Sequence, residues 1–231
     1  MINIMLEGYD MGADWLRGEL SRYVKPGDKV VVIAFSFRDS RVRDAQDWDR
    51  LYSRENGMYY GGIAGGFMDY GVREDDIRFI NYFTDSHDDA RRAVEAADIV
   101  YFPGGLPDRM MERIEEFSLT EALRAFDGVV MGYSAGAVIQ LGEYHISPDD
   151  DYPEFGYYNG LGLVDGFYIE VHYEGNGVQD AAIRRVLKER GQRVYATYEG
   201  RGALIIENGK IRTLGKTDIT LTNVTMNCLM I

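Results

Sequence analysis

Short apolar runs alternate with amphipathic stretches through the first 140 residues of the chain. The apolar runs are rich in β-branched side chains, as in strands that are covered on both faces. They are residues 2–6, 29–35, 77–83, 98–102 and 128–133. Residues 88–97 and 107–117 carry apolar side chains at helical spacing between them. This alternation predicts a doubly wound α/β fold, with a mostly parallel sheet and helices on both faces.

Further helical patterns cover residues 12–24 and, as one long stretch, residues 44–71. The last third of the chain has a different pattern. It consists of apolar runs at 165–173, 193–199, 201–215 and 218–224, and a helical stretch at 178–191. Within residues 201–215, Asn208-Gly209 between the apolar stretches 203–207 and 210–214 is a strong hairpin signal. We therefore expect one domain over residues 1–231, whose parallel sheet ends in an antiparallel C-terminal extension.

Composition narrows the class of protein. The chain has 231 residues, a net charge of −13 and one cysteine, Cys228. The negative charge argues against nucleic acid or an anionic membrane as a partner, because both require a basic surface. The N-terminus lacks a signal-peptide pattern, and no apolar stretch approaches the roughly 20 residues of a membrane span. We expect a cytoplasmic protein and leave a homodimer open.

The sequence Gly132-Tyr133-Ser134-Ala135-Gly136 matches the G-x-S-x-G pattern of a nucleophile elbow. An apolar run precedes it and a helical pattern follows, which is the strand–turn–helix context that the motif requires. Such a turn exposes the serine hydroxyl at the carboxyl end of the sheet, beside the N–H groups of a helix N-terminus. Ser134 is therefore the candidate nucleophile. The alternative is an ordinary small-residue turn with a serine N-cap.

A nucleophilic serine needs a general base, and the chain contains three histidines. His172 ends an apolar run, which places it at the edge where open α/β sheets build their sites. His87 lies among polar residues at a predicted helix start, and we interpret it as a surface residue. His145 could face either solvent or the site.

The segment Pro103-Gly104-Gly105 follows a predicted strand one unit before the serine. Paired glycines allow a main-chain N–H to point into a cleft without a Cβ in the way. The alternative is an ordinary turn between a strand and a helix.

Together these segments resemble the S51 serine peptidases, which include peptidase E and cyanophycinase and whose fold is similar to the class I glutamine amidotransferase domain. The resemblance rests on FPGGLPDRM, MGYSAGA, VHYEG and YATYEGRGALIIENGKI, in that order. It implies that Ser134 is the nucleophile and His172 the base, with the main-chain N–H groups of Gly105 and Ala135 as oxyanion donors. Leu106 stands where the family commonly has an amide side chain, which bears on substrate preference.

The acid of the triad is less well defined by the sequence. In the family it lies between serine and histidine, and Asp151 is our choice because Asp-x-Pro resembles the peptidase E pattern. The open alternatives are Asp149, Asp150, Glu143, Glu174 and Glu199. No cofactor is implied, and the scattered histidines and single cysteine give no metal-ligand spacing.

The resemblance implies a peptidase that hydrolyses short peptides through an acyl-enzyme, with a small peptide as its partner. One alternative is a serine esterase of the α/β-hydrolase type, although nearly sixty residues follow His172. Another is a non-catalytic, amidotransferase-like module that binds a small molecule, since a fold does not by itself prove activity. A cysteine-dependent glutaminase is excluded because the elbow residue is serine.

Overall fold

The computed structural model describes residues 1–220, apart from the side chain of Glu199. Its strands and helices alternate along the first part of the chain. In chain order they are β1 (Ile2–Leu6), α1 (Asp14–Leu20), β2 (Val30–Val32), α2 (Ala45–Tyr52), α3 (Tyr60–Met68), β3 (Ile77–Phe79), α4 (His87–Glu95), β4 (Ile99–Phe102), α5 (Pro107–Glu116), α6 (Thr120–Ala125), β5 (Val129–Tyr133), α7 (Ala135–Val138), β6 (Glu143–Ile146), β7 (Gly156–Asn159), β8 (Phe167–Tyr173), α8 (Gly177–Arg190), β9 (Arg193–Glu207) and β10 (Lys210–Thr220).

The central sheet has eight strands within the described residues. Seven of them follow the order β10-β9-β1-β5-β4-β2-β3, and β8 pairs with the first part of β9. The neighbouring pairs β1–β5, β5–β4, β4–β2 and β2–β3 are parallel, whereas β9 is antiparallel to both β1 and β10. The predicted α/β fold with an antiparallel extension is therefore confirmed.

Alternate residues of the central strands enter two different cores. Val31 and Val100 pack with α4, α5 and α6 on one face of the sheet. Val30 and Ile99, one residue earlier in each strand, pack with α1, α2 and α3 on the other face. Because successive side chains of a strand point to opposite faces, a continuous apolar run is what a sheet covered on both sides requires.

The long helical pattern at 44–71 forms two helices rather than one. Asp44 caps α2, since its side chain accepts a hydrogen bond from the Asp47 N–H. The helix ends at Ser53, whose backbone is extended, and the Gly57 N–H returns to the Ser53 carbonyl at 2.8 Å. A side chain at Gly57 would collide with the Ser53 backbone, so this turn depends on glycine.

The predicted hairpin at Asn208-Gly209 is present. Both residues have positive φ, 51° and 72°, as a two-residue turn of type I′ requires. Lys210 then pairs with Glu207 at the start of the β9–β10 ladder. Of the strand expected at 218–224, residues 218–220 belong to β10, and the remainder lies outside the described residues.

Candidate active site

Ser134 occupies a strained turn between β5 and α7. Its φ of 53° and ψ of −111° are unusual for a residue other than glycine, and its N–H bonds to the Leu6 carbonyl at 3.1 Å. The glycines on either side allow the strand and helix to approach. A Cβ at Gly132 would collide with the Gly136 carbonyl, and one at Gly136 would collide with the Phe102 carbonyl. The motif thus forms a nucleophile elbow.

His172 approaches this serine from the end of β8. Its Nε2 atom lies 2.7 Å from Ser134 Oγ, and its side chain is 39% exposed. The pairing of β8 with β9 is irregular between Glu170 and Tyr173, and His172 itself has a φ of 52°. Such a bulge changes the direction in which a side chain points at the end of a strand. Gln179 stabilises this backbone conformation by donating a 2.9 Å hydrogen bond to the His172 carbonyl.

Among the described side chains, Glu7 is an acidic partner of His172, and it follows β1 directly. Glu7 Oε1 lies 2.5 Å from His172 Nδ1, and the Glu7 side chain has no exposed surface. The other carboxylate oxygen, Oε2, accepts a hydrogen bond from the Gly200 N–H. The sequence reasoning missed this residue. The signal was available, because Glu7 is a carboxylate directly after a buried strand, at the end where such sheets place their sites.

The structure does not bring Asp151 to His172. Asp151 instead forms an ion pair with Arg38, in which both side chains are more than one-third exposed. The loop between β6 and β7 carries Asp151 toward the segment after β2 rather than toward the end of β8. The hydrogen bond with Asp151 also raises the pKa of the Arg38 guanidinium.

Three of the alternative acids have other partners among the described residues. Asp149 accepts hydrogen bonds from the N–H groups of Asp151 and Tyr152, and Glu143 pairs with Arg190. Glu174 accepts from the Asn176 side chain, 3.3 Å away. Asp150 is exposed, and the side chain of Glu199 lies outside the described residues.

Gly105 and Ala135 both line the cleft that contains Ser134 and His172, a space of about 360 Å³. Gly105 has a φ of 140°, and a Cβ there would collide with the Ser36 carbonyl, so only glycine fits. The Leu106 N–H anchors this loop on the same carbonyl at 2.8 Å. Ala135 is the first residue of α7. Neither the Gly105 nor the Ala135 N–H is used in a hydrogen bond among the described residues.

The remaining histidines occupy different environments. His87 is exposed at the start of α4 and stacks on Phe117, with 4.6 Å between ring centroids. His145 is buried in the wall of the cleft, where its Nε2 lies 2.7 Å from Glu170 Oε2. Within residues 1–220, no group of three or more His, Cys, Asp or Glu side chains is arranged to hold a metal ion.

A neutral tyrosine forms another part of the cleft wall. Tyr152 donates a 2.5 Å hydrogen bond to Asp108, and burial together with this carboxylate raises the pKa of Tyr152 well above its ordinary value. The phenol therefore remains a hydrogen-bond donor throughout the neutral pH range.

None of the helices in the described part of the chain combines the length and the apolar character that a membrane span requires.

The sheet order and the Ser134–His172 pair at the carboxyl ends of its strands define a hydrolase-like α/β protein with a serine nucleophile elbow. The model of peptidase family S51 matches residues 53–214, and the chain belongs to this family. It is therefore a peptidase, and the family recognised from the sequence is confirmed.

Two solved structures share the fold. One is of a protein assigned as a peptidase E, from Listeria monocytogenes EGD-e, with a TM-score of 0.65 and 16% identity, covering 93% of this chain and 98% of that one. The other is a peptidase from an acI-B1 Actinobacterium, with a TM-score of 0.60 and 15% identity, covering 96% of this chain and 94% of that one. No curated protein sequence matches the chain significantly.

Proposed function

We propose that the protein is a serine peptidase that hydrolyses short peptides through Ser134, His172 and Glu7. The observation that carries the proposal is the continuous chain of contacts from Ser134 Oγ to His172 Nε2, at 2.7 Å, and from His172 Nδ1 to Glu7 Oε1, at 2.5 Å. The first distance lies within the hydrogen-bond range of a nucleophile and its base, and the second is a close ion-pair contact that places the Glu7 carboxylate beside the imidazole.

Each residue has a defined task in this mechanism. Glu7 holds the imidazole with its Nδ1 proton toward the carboxylate, so that Nε2 is free to accept the Ser134 proton. The serine oxygen attacks the peptide carbonyl, and negative charge develops on the carbonyl oxygen. The N–H groups of Gly105 and Ala135 are the donors that would stabilise this charge. His172 then protonates the departing amine, and water releases the acyl group by the reverse sequence.

The size of the cleft supports a small substrate. Its volume of about 360 Å³ lies at the lower end of the range for small-molecule sites. The loop between β6 and β7 forms one wall through Pro148, Asp149 and Tyr152, and the start of α8 forms another through Asn176 and Val178. These walls favour a short peptide over an extended chain.

The test is a dipeptide library incubated with the wild-type protein and with Ser134→Ala, with products identified by mass spectrometry. We expect cleavage by the wild type only. A fluorophosphonate probe provides a second measurement, since it labels an activated serine whatever the substrate. Labelling of Ser134 without peptide cleavage would favour the esterase, and absence of both would favour a binding module.

A further inference from the structure

A buried polar cluster lies in the wall of the cleft, next to the proposed catalytic residues but separate from them. It consists of His145, Ser147 and Glu170, which all line the same space as Ser134. Glu170 is only 5% exposed. Its Oε2 atom accepts a hydrogen bond from Ser147 Oγ at 2.8 Å and lies 2.7 Å from His145 Nε2. The mechanism above uses none of these groups.

Two polar atoms of this cluster have no partner among the described residues. One is His145 Nδ1, which is enclosed. The other is Glu170 Oε1, which accepts no hydrogen bond from the described residues. Unlike His145 Nδ1, this oxygen is not fully enclosed by protein, so it reaches the cleft surface. Because this carboxylate oxygen faces the cleft and is not used by the described part of the protein, it is available to accept a hydrogen bond from a bound substrate.

The described lining of the cleft contains acidic side chains but no lysine or arginine. The acidic residues are Asp149, Glu170 and Glu174. The start of α8 opens at the rim, but the Asn176 side chain already caps the N–H groups of Val178 and Gln179. A substrate carboxylate would therefore meet repulsion here, whereas an ammonium group would meet a charged acceptor.

We propose that Glu170 is a specificity-determining residue that binds a cationic substrate side chain, so that the peptidase prefers a lysine-bearing peptide to one with an acidic or neutral residue. This inference rests on the proposed function of the same cleft. Glu170 precedes His172 by two residues, so their Cα atoms are at most roughly 7 Å apart. Glu170 and Ser134 line the same cleft, and the flexible four-carbon stem of a lysine allows its ammonium group to reach across that cleft.

The first experiment compares three dipeptides, Lys-Ala, norleucine-Ala and Asp-Ala, which differ only in the side chain of the first residue. With the wild-type enzyme we expect kcat/KM for Lys-Ala to exceed that for norleucine-Ala by about tenfold or more, because a charge-assisted hydrogen bond is gained. Asp-Ala should be the poorest substrate. A preference for Asp-Ala would overturn the proposal while leaving the peptidase itself established.

Variants identify the residue responsible. In Glu170→Gln the preference for lysine over norleucine should fall close to one, while norleucine-Ala turnover stays within about threefold, since Gln keeps the size and can still accept a hydrogen bond. Glu154→Gln is the matched control, because Glu154 is exposed, lies in the loop between β6 and β7 and does not line the cleft. An equal loss for both substrates in Glu170→Gln would show a structural role and overturn the proposal.

Binding separates this inference from the catalytic one. Calorimetric titration of Ser134→Ala with intact Lys-Ala and norleucine-Ala requires no turnover. We expect Lys-Ala to bind at least fivefold more tightly, by roughly 1 kcal/mol at 1.4 kcal/mol per tenfold. Equal affinities would contradict a role for Glu170 in recognition, whether or not the wild-type enzyme cleaves either peptide.

Discussion

Replacing Glu7 by glutamine is the sharpest test of the proposed triad. The change keeps the size of a side chain that has no exposed surface but removes its charge. It also replaces an acceptor beside His172 Nδ1 with a donor. A glutamine that still accepts the Gly200 N–H through its oxygen turns its NH₂ group toward His172 Nδ1. The imidazole proton is then driven to Nε2, where it prevents the ring from accepting the Ser134 proton.

The expected magnitude follows from the distance between the charges. With Oε1 and Nδ1 2.5 Å apart, the centres of the carboxylate and a protonated imidazole are about 4 Å apart, which gives about 4 kcal/mol at an effective dielectric constant of about 20. One factor of ten in rate corresponds to about 1.4 kcal/mol, so we expect kcat to fall roughly 10³-fold in Glu7→Gln. KM should change little, because Glu7 does not line the substrate cleft.

The assay is the rate of dipeptide hydrolysis, with thermal unfolding measured in parallel to confirm that the variant is folded. Asp151→Asn is the matched control, since Asp151 is the acid that the sequence pattern favours and its ion pair with Arg38 is exposed. We expect it to retain activity within about threefold, in keeping with the small energies of exposed ion pairs. A folded Glu7→Gln enzyme with near-normal kcat, together with an inactive Asp151→Asn, would refute the assignment of Glu7.

Three further substitutions test the geometry around the nucleophile. Gly105→Ala should lower kcat/KM at least 10²-fold, measured by kinetics, and lower the free energy of unfolding by about 1–3 kcal/mol, measured by urea unfolding. Both effects are expected because the φ of 140° and the nearby Ser36 carbonyl leave no room for a Cβ. Ser134→Gly should abolish activity yet unfold with a free energy about 1 kcal/mol higher than Ser134→Ala, since glycine relieves the strain of a φ of 53°. Tyr152→Phe should leave kcat within about fivefold but lower the unfolding free energy by about 1–2 kcal/mol, because Asp108 loses its 2.5 Å hydrogen bond; unchanged stability would contradict this account.

Local sequence patterns predicted the parts of the site that depend on short-range structure. Ser134 is recognisable because the strand, the turn glycines and the helix are adjacent in the chain, and the collisions that a Cβ would cause at Gly132 and Gly136 explain why glycine is needed there. Gly105 is recognisable for the same reason. The turn at Asn208-Gly209 is defined by two residues alone.

The proposed acid, Glu7, could not be predicted in this way, because its position depends on the order of strands in the sheet. Glu7 lies 165 residues before His172, and no local pattern relates them. Their contact arises because β1 lies in the middle of the sheet, between β5 and β9. A search confined to the interval between serine and histidine cannot find Glu7, and Asp151, the residue chosen there, pairs with Arg38 in the structure.

The long strand β9 of the antiparallel extension brings together His172 and Glu7, the proposed base and acid. Its first part pairs with β8 in parallel, up to Tyr173 opposite Tyr198, and its last part pairs with β1 in the opposite direction, from Ala203 opposite Leu6. The ends of β8 and β1 therefore approach the same short stretch of β9 from opposite directions, along the edge that β10 leaves open. Gly200 lies within that stretch and donates its N–H to Glu7. A Cβ on Gly8 would come within 3.1 Å of the Gly200 Cα, so the segment after β1 passes this point closely. The position of the carboxylate is thus set by β9 as much as by β1, and disruption of this stretch should impair catalysis without touching any of the three reacting residues.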